Sequence, residues 1–209
     1  PQEWNCVEIE LTDETGARVP CQFTESGPHM SGIVQSPNDT PNTMPAVRHN
    51  VRAQFAEVPG SGYRTFFVRP VRNRKFAQPA TQLTAPQTME NEFLSVEILP
   101  NGTLHVLDKR TKHLFQGLGY FRDCGEVGNP WEHYCPANDR VFTTLNERAE
   151  VTLVRDGALE TSFRVAFHWA LPESRTSGDR GRSSVLKSYH IVNTVTLRKG
   201  EPWVEIQTD

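Results

Sequence analysis

Apolar and polar residues alternate along most of this chain, and such alternation is the pattern of half-buried β-strands. The clearest alternation lies in residues 163–169, where an apolar side chain occupies every odd position. Residues 90–116 alternate on both sides of Asn101-Gly102, a dipeptide that tolerates the positive φ of a tight hairpin turn. No segment of ten or more residues carries an apolar helical face, so the sequence predicts an all-β protein.

The predicted strands fall into two groups on either side of a segment rich in Pro, Gln, Thr and Ala. Residues 1–72 carry a strand signal about every ten residues, the spacing of a small β-sandwich. Residues 73–88 are predicted to be a linker, and residues 89–209 to form the first part of a larger β domain. The expected strands are Val7–Leu11, Val19–Phe23, Gly32–Gln35, Val51–Glu57, Tyr63–Val68, Phe93–Leu99, Thr103–Leu107, Arg140–Leu145, Ala149–Arg155, Thr161–Ala170, Val185–Leu197 and Trp203–Gln207.

Two further features of the pattern concern pairing and the core. The turn at residues 13–16 predicts that the first two strands pair as a hairpin. Large aromatic side chains within or beside the strands are expected in the core, and they are Trp4, Tyr63, Phe66, Phe67, Trp169 and Trp203.

The composition excludes several classes of partner. The 209 residues include 22 Lys and Arg against 25 Asp and Glu, a net charge of −3, which predicts neither a nucleic-acid nor a membrane partner. No apolar run approaches the roughly 20 residues of a membrane-spanning helix. The chain starts at Pro1 without a signal peptide and stops at a strand end, so we expect a fragment of a longer protein. Its four cysteines form no Cys-x-x-Cys pair, and we expect a reducing, cytoplasmic compartment.

The sequence contains no set of residues with the spacing of a common catalytic or metal-binding motif. Its seven histidines form neither His-x-x-x-His nor His-x-Asp, and it contains no Gly-x-Ser-x-Gly nucleophile elbow. We therefore expect no catalytic residue, no metal site and no cofactor within this chain. Cys124 and Cys135 could still meet across a loop.

Residues 123–136 stand apart because they combine glycines, prolines, acids, a histidine and two aromatic residues. Aromatic rings beside hydrogen-bonding groups suit a sugar, whose C–H faces stack on rings while its hydroxyls form directed bonds. Trp131 and Tyr134 would supply the rings. The alternative is that both rings fold back and fill the edge of the sandwich.

Three segments resemble the β region of glycoside hydrolase family 38, the α-mannosidases, and they follow one another along the chain in the same order as in that family. Residues 90–116 resemble the start of the family's large C-terminal β domain. Upstream, residues 58–66 (VPGSGYRTF) resemble the element that closes its small β-sandwich, and downstream, residues 119–126 (GYFRDCGE) are similar to a segment of bacterial members. The resemblance implies a small β-sandwich followed by the first part of a galactose-mutarotase-like β-supersandwich.

The resemblance also implies what the parent enzyme contains outside this chain. An N-terminal catalytic domain would hold a zinc ion and the aspartate nucleophile of a retaining mechanism. This chain would pack against its own N-terminal catalytic domain and be inactive alone. The substrate would be an α-mannoside or oligosaccharide. Exposed strand edges at a truncated end would favour self-association, so a homo-oligomer is a further expected partner.

Family 38 members extend a loop from this domain toward the active site, where an aromatic residue contacts substrate. By resemblance, Trp131 or His133 takes the place of that loop's first tyrosine, and Tyr134 takes the place of its second. We therefore expect these three residues to bind substrate, and the chain to form one wall of the active site. Two alternatives are a stand-alone carbohydrate-binding β module and a purely structural interdomain sandwich.

Overall fold

Strands make up nearly all of the regular structure of this chain. The computed structural model describes residues 8–33, 40, 42–71, 80–178 and 180–209. These residues form fifteen β-strands, one turn of 3-10 helix at Thr144–Asn146, and no α-helix, so the predicted all-β fold is confirmed. The strands are β1 (Glu8–Asp13), β2 (Cys21–Ile33), β3 (Asn42–Ala53), β4 (Phe66–Val71), β5 (Leu83–Ala85), β6 (Thr88–Glu90), β7 (Leu94–Ile98), β8 (Leu104–Asp108), β9 (His113–Leu118), β10 (Arg122–Asp123), β11 (Phe142–Thr143), β12 (Glu150–Arg155), β13 (Glu160–Pro172), β14 (Leu186–Arg198) and β15 (Val204–Thr208).

The chain divides into two compact units. The first comprises residues 1–80 with Gly157–Leu159, and the second comprises Thr81–Asp156 and Glu160–Asp209. Within the predicted linker 73–88, residues 73–79 lie outside the described part of the chain, whereas β5 and the start of β6 belong to a sheet. Strands of three residues are too short to show a period-2 pattern, so the sequence did not reveal them.

The described residues of the first unit form two separate antiparallel pairs, β1 with β4 and β2 with β3. The prediction that the first two strands pair as a hairpin is therefore wrong. Asp13 does form the predicted turn, because its carboxylate accepts hydrogen bonds from the backbone N–H groups of Thr15 and Ala17. The turn is followed by a single bridge, Thr12 with Arg18, and β4 pairs with β1 over its whole length. Alternation identifies a strand but does not specify its partner.

The strands β2 and β3 are longer than the sequence predicts. β2 continues through residues 24–31, where the alternation predicts a break between two strands, and β3 begins within a segment expected to be loop. Pro28 and Pro45 lie inside these strands. Both members of a two-stranded ribbon are edge strands, where a proline is tolerated because its missing N–H can face away from the ladder.

The second unit is built on two larger antiparallel sheets that share one core. Their strand orders are β5-β6-β7-β8-β9 and β12-β13-β14-β15, and β10 pairs with β11 in a small separate ladder. Burial alternates along β7 as predicted. The shared core consists of Met89, Leu94, Val96, Ile98, Leu104, Val106, Ala149, Phe163, Val165, Phe167, Val195 and Leu197.

Several aromatic side chains lie elsewhere than predicted. Trp169 is 3% exposed, which confirms its place in the core. Tyr63 and Trp203 are 87% and 56% exposed, so the prediction is wrong for both. Both residues lie outside the strands, Tyr63 three positions before β4 and Trp203 directly before β15, where the pleat does not determine which way a side chain points. Phe67 is also exposed, and Trp4 lies outside the described residues.

The turn between β7 and β8 contains a glycine that faces the core. Gly102 has a φ of +77°, and a Cβ added there would lie 2.3 Å from Cζ of Phe167 and 2.9 Å from Cβ of Ala149. Both the left-handed backbone and the close approach therefore require glycine at this position.

Gly102→Ala should lower the free energy of unfolding by about 2–5 kcal/mol, because backbone strain and overpacking add together. Urea unfolding followed by circular dichroism measures the loss. Gly117→Ala is the matched control, since Gly117 has a φ of +67° but nothing within 4 Å of the added Cβ. The control should lose only about 1–2 kcal/mol. Equal losses in the two variants would contradict the packing role of Gly102.

The carboxylate of Glu90, at the end of β6, accepts hydrogen bonds from three side chains. Lys109 Nζ lies at 2.7 Å, Ser95 Oγ at 3.0 Å and Thr84 Oγ1 at 3.4 Å. The hydrogen bond from Lys109 is the main cause that lowers the pKa of Glu90 below its usual 4.5. A lowered pKa means that folding favours the ionised form. This contribution to stability is therefore present above pH 4.5 and is lost as the pH falls through the folded-state pKa.

The free energy of unfolding should consequently fall as the pH drops below 4.5, and it should fall less steeply in Glu90→Gln. Denaturant titrations at a series of pH values measure the slope. Glu147→Gln, which removes a carboxylate at an exposed position, is the control for the loss of one negative charge. A Glu90→Gln slope identical to that of the unmodified chain would show that Glu90 does not contribute.

Candidate functional site

The segment between β9 and β12 contains the aromatic loop, which we define as residues 124–141. The short ladder of β10 with β11 closes the base of this loop. Just outside that ladder, the Phe121 N–H donates to Thr144 Oγ1 at 3.0 Å, and the Thr144 N–H donates to the Phe121 carbonyl at 3.0 Å. The ring of Phe121 packs edge-on against Phe167 of the core, with 5.8 Å between ring centroids. The loop therefore leaves the core at a fixed place.

Glu126 organises the inside of the aromatic loop. Its Oε1 accepts hydrogen bonds from the backbone N–H of Tyr134, at 3.1 Å, and from the backbone N–H of Gly128. Its Oε2 contacts Nδ1 of His133. The Val127 N–H also donates to the Tyr134 carbonyl at 2.8 Å. One carboxylate thus joins the two arms of the loop.

The tip of the loop is a tight turn built on Asn129. Its side-chain oxygen accepts from the N–H groups of Trp131 and Glu132, at 2.9 and 3.1 Å, which is an Asx-turn. The Asn129 N–H donates in turn to the Glu132 carbonyl at 3.0 Å. A Cβ on Gly128 would lie 2.0 Å from that carbonyl oxygen, so this turn requires glycine.

The base of the loop is held by polar contacts that the sequence analysis did not identify. The Gly125 N–H donates to Asp139 Oδ2 at 3.0 Å. Arg182 forms an ion pair with Asp123, and its guanidinium carbon lies 5.2 Å from the ring centroid of Phe142. The Arg182 side chain is only 11% exposed. Its segment is almost devoid of apolar residues, so no pattern in the sequence indicates that one of its arginines is largely shielded from solvent.

The three residues predicted to bind substrate differ in their surroundings. Trp131 is 88% exposed, which excludes the alternative that its ring fills the edge of the sandwich. Tyr134 is 54% exposed, and its hydroxyl donates to Glu132 Oε2 at 3.0 Å. His133 is also exposed, but both of its ring nitrogens have neighbours within the loop. Nδ1 contacts Glu126, and Nε2 lies 3.4 Å from Sγ of Cys135.

Cys124 and Cys135 meet across the loop, as the sequence allows, and His133 lies between them. The two thiol sulfurs and a ring nitrogen of His133 all lie within 4.8 Å of one another. The expectation of no metal site rested on short spacings such as Cys-x-x-Cys. These three residues match no such short spacing, because Cys124 lies eleven positions before Cys135 and only the closed loop brings them together.

Three acidic residues in or beside the aromatic loop already have polar partners. Asp123 pairs with Arg182, Glu126 binds the loop backbone, and Glu132 accepts from Tyr134. This arrangement favours a binding surface over an acid–base pair.

Comparison with known proteins identifies the family. Residues 89–209 match the sequence model of the family described as glycosyl hydrolases family 38 C-terminal domain. The chain belongs to this family. A Halalkalibacterium halodurans protein named "Putative mannosylglycerate hydrolase" is 26% identical over 113 residues, which are 53% of this chain and 13% of that protein. The family resemblance predicted from the sequence is therefore confirmed.

Two solved structures share the fold. An alpha-mannosidase from Enterococcus faecalis V583 matches with a TM-score of 0.78 at 23% identity, over 99% of this chain and 25% of that chain. A protein in glycosyl hydrolase family 38 from Enterococcus faecalis matches with a TM-score of 0.77 at 24% identity, over 96% of this chain and 25% of its own. This family 38 chain thus spans a quarter or less of the length of these relatives. Among its described residues, no helix is long and apolar enough to cross a membrane.

Glu126→Ala should loosen the aromatic loop, because it removes both carboxylate oxygens that the Gly128 and Tyr134 amides and His133 contact. Hydrogen–deuterium exchange of the Gly128 and Tyr134 amides, followed by NMR, should become about tenfold faster or more. Glu132→Ala is the matched control, since the Glu132 carboxylate contacts the Tyr134 hydroxyl and neither amide. Unchanged exchange in Glu126→Ala would contradict the organising role.

Proposed function

We propose that this chain is the C-terminal β region of a retaining α-mannosidase, and that its aromatic loop forms part of the active-site wall. The family 38 match supports the first part. The observation that carries the second part is the exposure of Trp131, whose ring projects from a loop that hydrogen bonds hold in shape.

An exposed indole on an ordered loop is suited to stack on a sugar. Contact with the C–H face of a sugar removes apolar surface from water. The backbone of Trp131 is already fixed by Asn129, so little conformational entropy is lost on binding. Tyr134 and Glu132 lie on the same turn and offer a hydroxyl and a carboxylate to sugar hydroxyls. We assign the direct contacts with the sugar to Trp131 and Tyr134. We assign to His133 the role of holding the aromatic loop in shape.

The catalytic groups belong to another part of the proposed parent enzyme. The family resemblance implies that the zinc ion and the nucleophilic aspartate reside in the N-terminal catalytic domain, the partner of this chain. The proposed substrate is an α-mannoside or oligosaccharide, and the name of the Halalkalibacterium relative makes mannosylglycerate a substrate to include in assays. The exposed thiol of Cys135 fits a reducing compartment, so we place the parent in the cytoplasm. Formation of a homo-oligomer stays a prediction.

A second candidate function is that of a stand-alone carbohydrate-binding module. The exposure of Trp131 also favours this function, because the ring is available without another domain. Titration of the isolated chain with mannose or mannobiose, followed by tryptophan fluorescence, distinguishes the two. A module binds the sugar saturably, whereas an active-site wall requires the catalytic domain to complete the site.

In the parent enzyme, Trp131→Ala should lower kcat/KM for an aryl α-mannoside by about fivefold or more, because one lost aromatic stack costs about 1 kcal/mol. Initial rates over a range of substrate concentrations measure the change. Trp203→Ala is the matched control, since Trp203 is 56% exposed in the same unit, and it should leave kcat/KM unchanged. An unaltered kcat/KM in Trp131→Ala would contradict the wall proposal.

A further inference from the structure

We propose that Cys124, His133 and Cys135 form a binding site for a thiophilic divalent cation, with zinc as the first candidate. The site lies where the two arms of the aromatic loop meet. Both cysteines are free thiols, and no disulfide joins them. The proposal stands on this geometry and goes beyond the proposed function.

The distances from the His133 ring to the two sulfurs are close to those of a tetrahedral centre. Zinc lies about 2.3 Å from cysteine sulfur and about 2.0–2.1 Å from histidine nitrogen, so tetrahedral angles place sulfur and nitrogen about 3.5 Å apart. His133 Nε2 lies 3.4 Å from Sγ of Cys135 and 3.9 Å from Sγ of Cys124. All three ligand atoms lie within 4.8 Å of one another. Tetrahedral angles also place two zinc-bound sulfurs about 3.8 Å apart. Binding of a cation would therefore draw the two thiols, which lie within 4.8 Å of each other, together by up to about 1 Å.

The contact with Glu126 prepares His133 to act as a ligand. A carboxylate only accepts hydrogen bonds, so Nδ1 of His133 carries the proton that faces Glu126. In the neutral ring, Nε2 then presents its lone pair to the two thiols. A carboxylate behind the histidine is the usual outer-shell partner of a metal-ligating imidazole, because it fixes the tautomer and orients the ring.

The donor set determines which cation fits. Two thiolates and an imidazole favour zinc and similar soft cations over magnesium and calcium, which prefer oxygen ligands. Arg122 Nη1 lies 3.8 Å from Sγ of Cys124 and provides an outer-shell donor to that sulfur. His133 and Cys135 are exposed, so the fourth position is open to water or an exchangeable ligand. Because Trp131 lies two residues before His133, a bound cation would also fix the turn that presents its ring.

Co²⁺ titration of the reduced 209-residue chain tests this site directly. One Co²⁺ per chain should bind and give thiolate charge-transfer bands together with the d–d bands of tetrahedral cobalt, and Zn²⁺ should abolish both. Cys124→Ser and Cys135→Ser should each lose charge-transfer intensity, and Glu126→Gln should weaken Co²⁺ binding about tenfold. Cys21→Ser, in the first unit, is the matched control and should leave the spectrum unchanged.

A second measurement needs no variant that could fail to fold. In the unmodified chain, Zn²⁺ should protect two of the four thiols from Ellman's reagent and release protons on binding. Cobalt binding without thiolate bands, thiolate bands that persist in both serine variants, or a disulfide between Cys124 and Cys135 in place of metal binding would overturn the proposal. Loss of mannoside hydrolysis in the parent would bear on the proposed function and not on this test.

Discussion

Packing between the two larger sheets of the second unit is the constraint on which the rest of that unit depends. β7 and β8 contribute aliphatic side chains, and β13 contributes Phe167, which is 1% exposed. The turn at Gly102 lies directly against this ring, so the conformation of the turn and the packing of the core depend on each other. Phe121, at the foot of the aromatic loop, packs edge-on against the same ring. The position of the candidate site therefore follows from the packing of Phe167.

The aromatic loop itself is ordered by polar contacts and not by burial. Glu126 and Asn129 satisfy the backbone N–H groups of the loop through their side-chain oxygens. Because hydrogen bonds fix the loop, Trp131 does not need to be buried to give the loop its shape. The exposed ring of Trp131 is then available to bind a ligand. The Glu126 carboxylate that orders the loop also orients His133 toward the two thiols.

The structural features that depend on local periodicity and turn chemistry were predictable from the sequence. The β7–β8 hairpin, its Asn101-Gly102 turn and the core position of Trp169 all followed from alternation. Pairing in the first unit did not follow, because β4 pairs with β1 from more than fifty residues away. β9 was missed because most of its residues are exposed on both faces. The cluster of Cys124, His133 and Cys135 depends on loop closure, which no spacing rule encodes.

The most direct test of the functional claim is a crystal structure of the parent enzyme bound to a non-hydrolysable α-mannoside. The decisive measurement is the distance between the sugar ring and the indole of Trp131. We expect van der Waals contact, about 4 Å, with a sugar hydroxyl bonded to Tyr134 or Glu132. A mannoside fully enclosed by the catalytic domain, with Trp131 left in solvent, would contradict the claim.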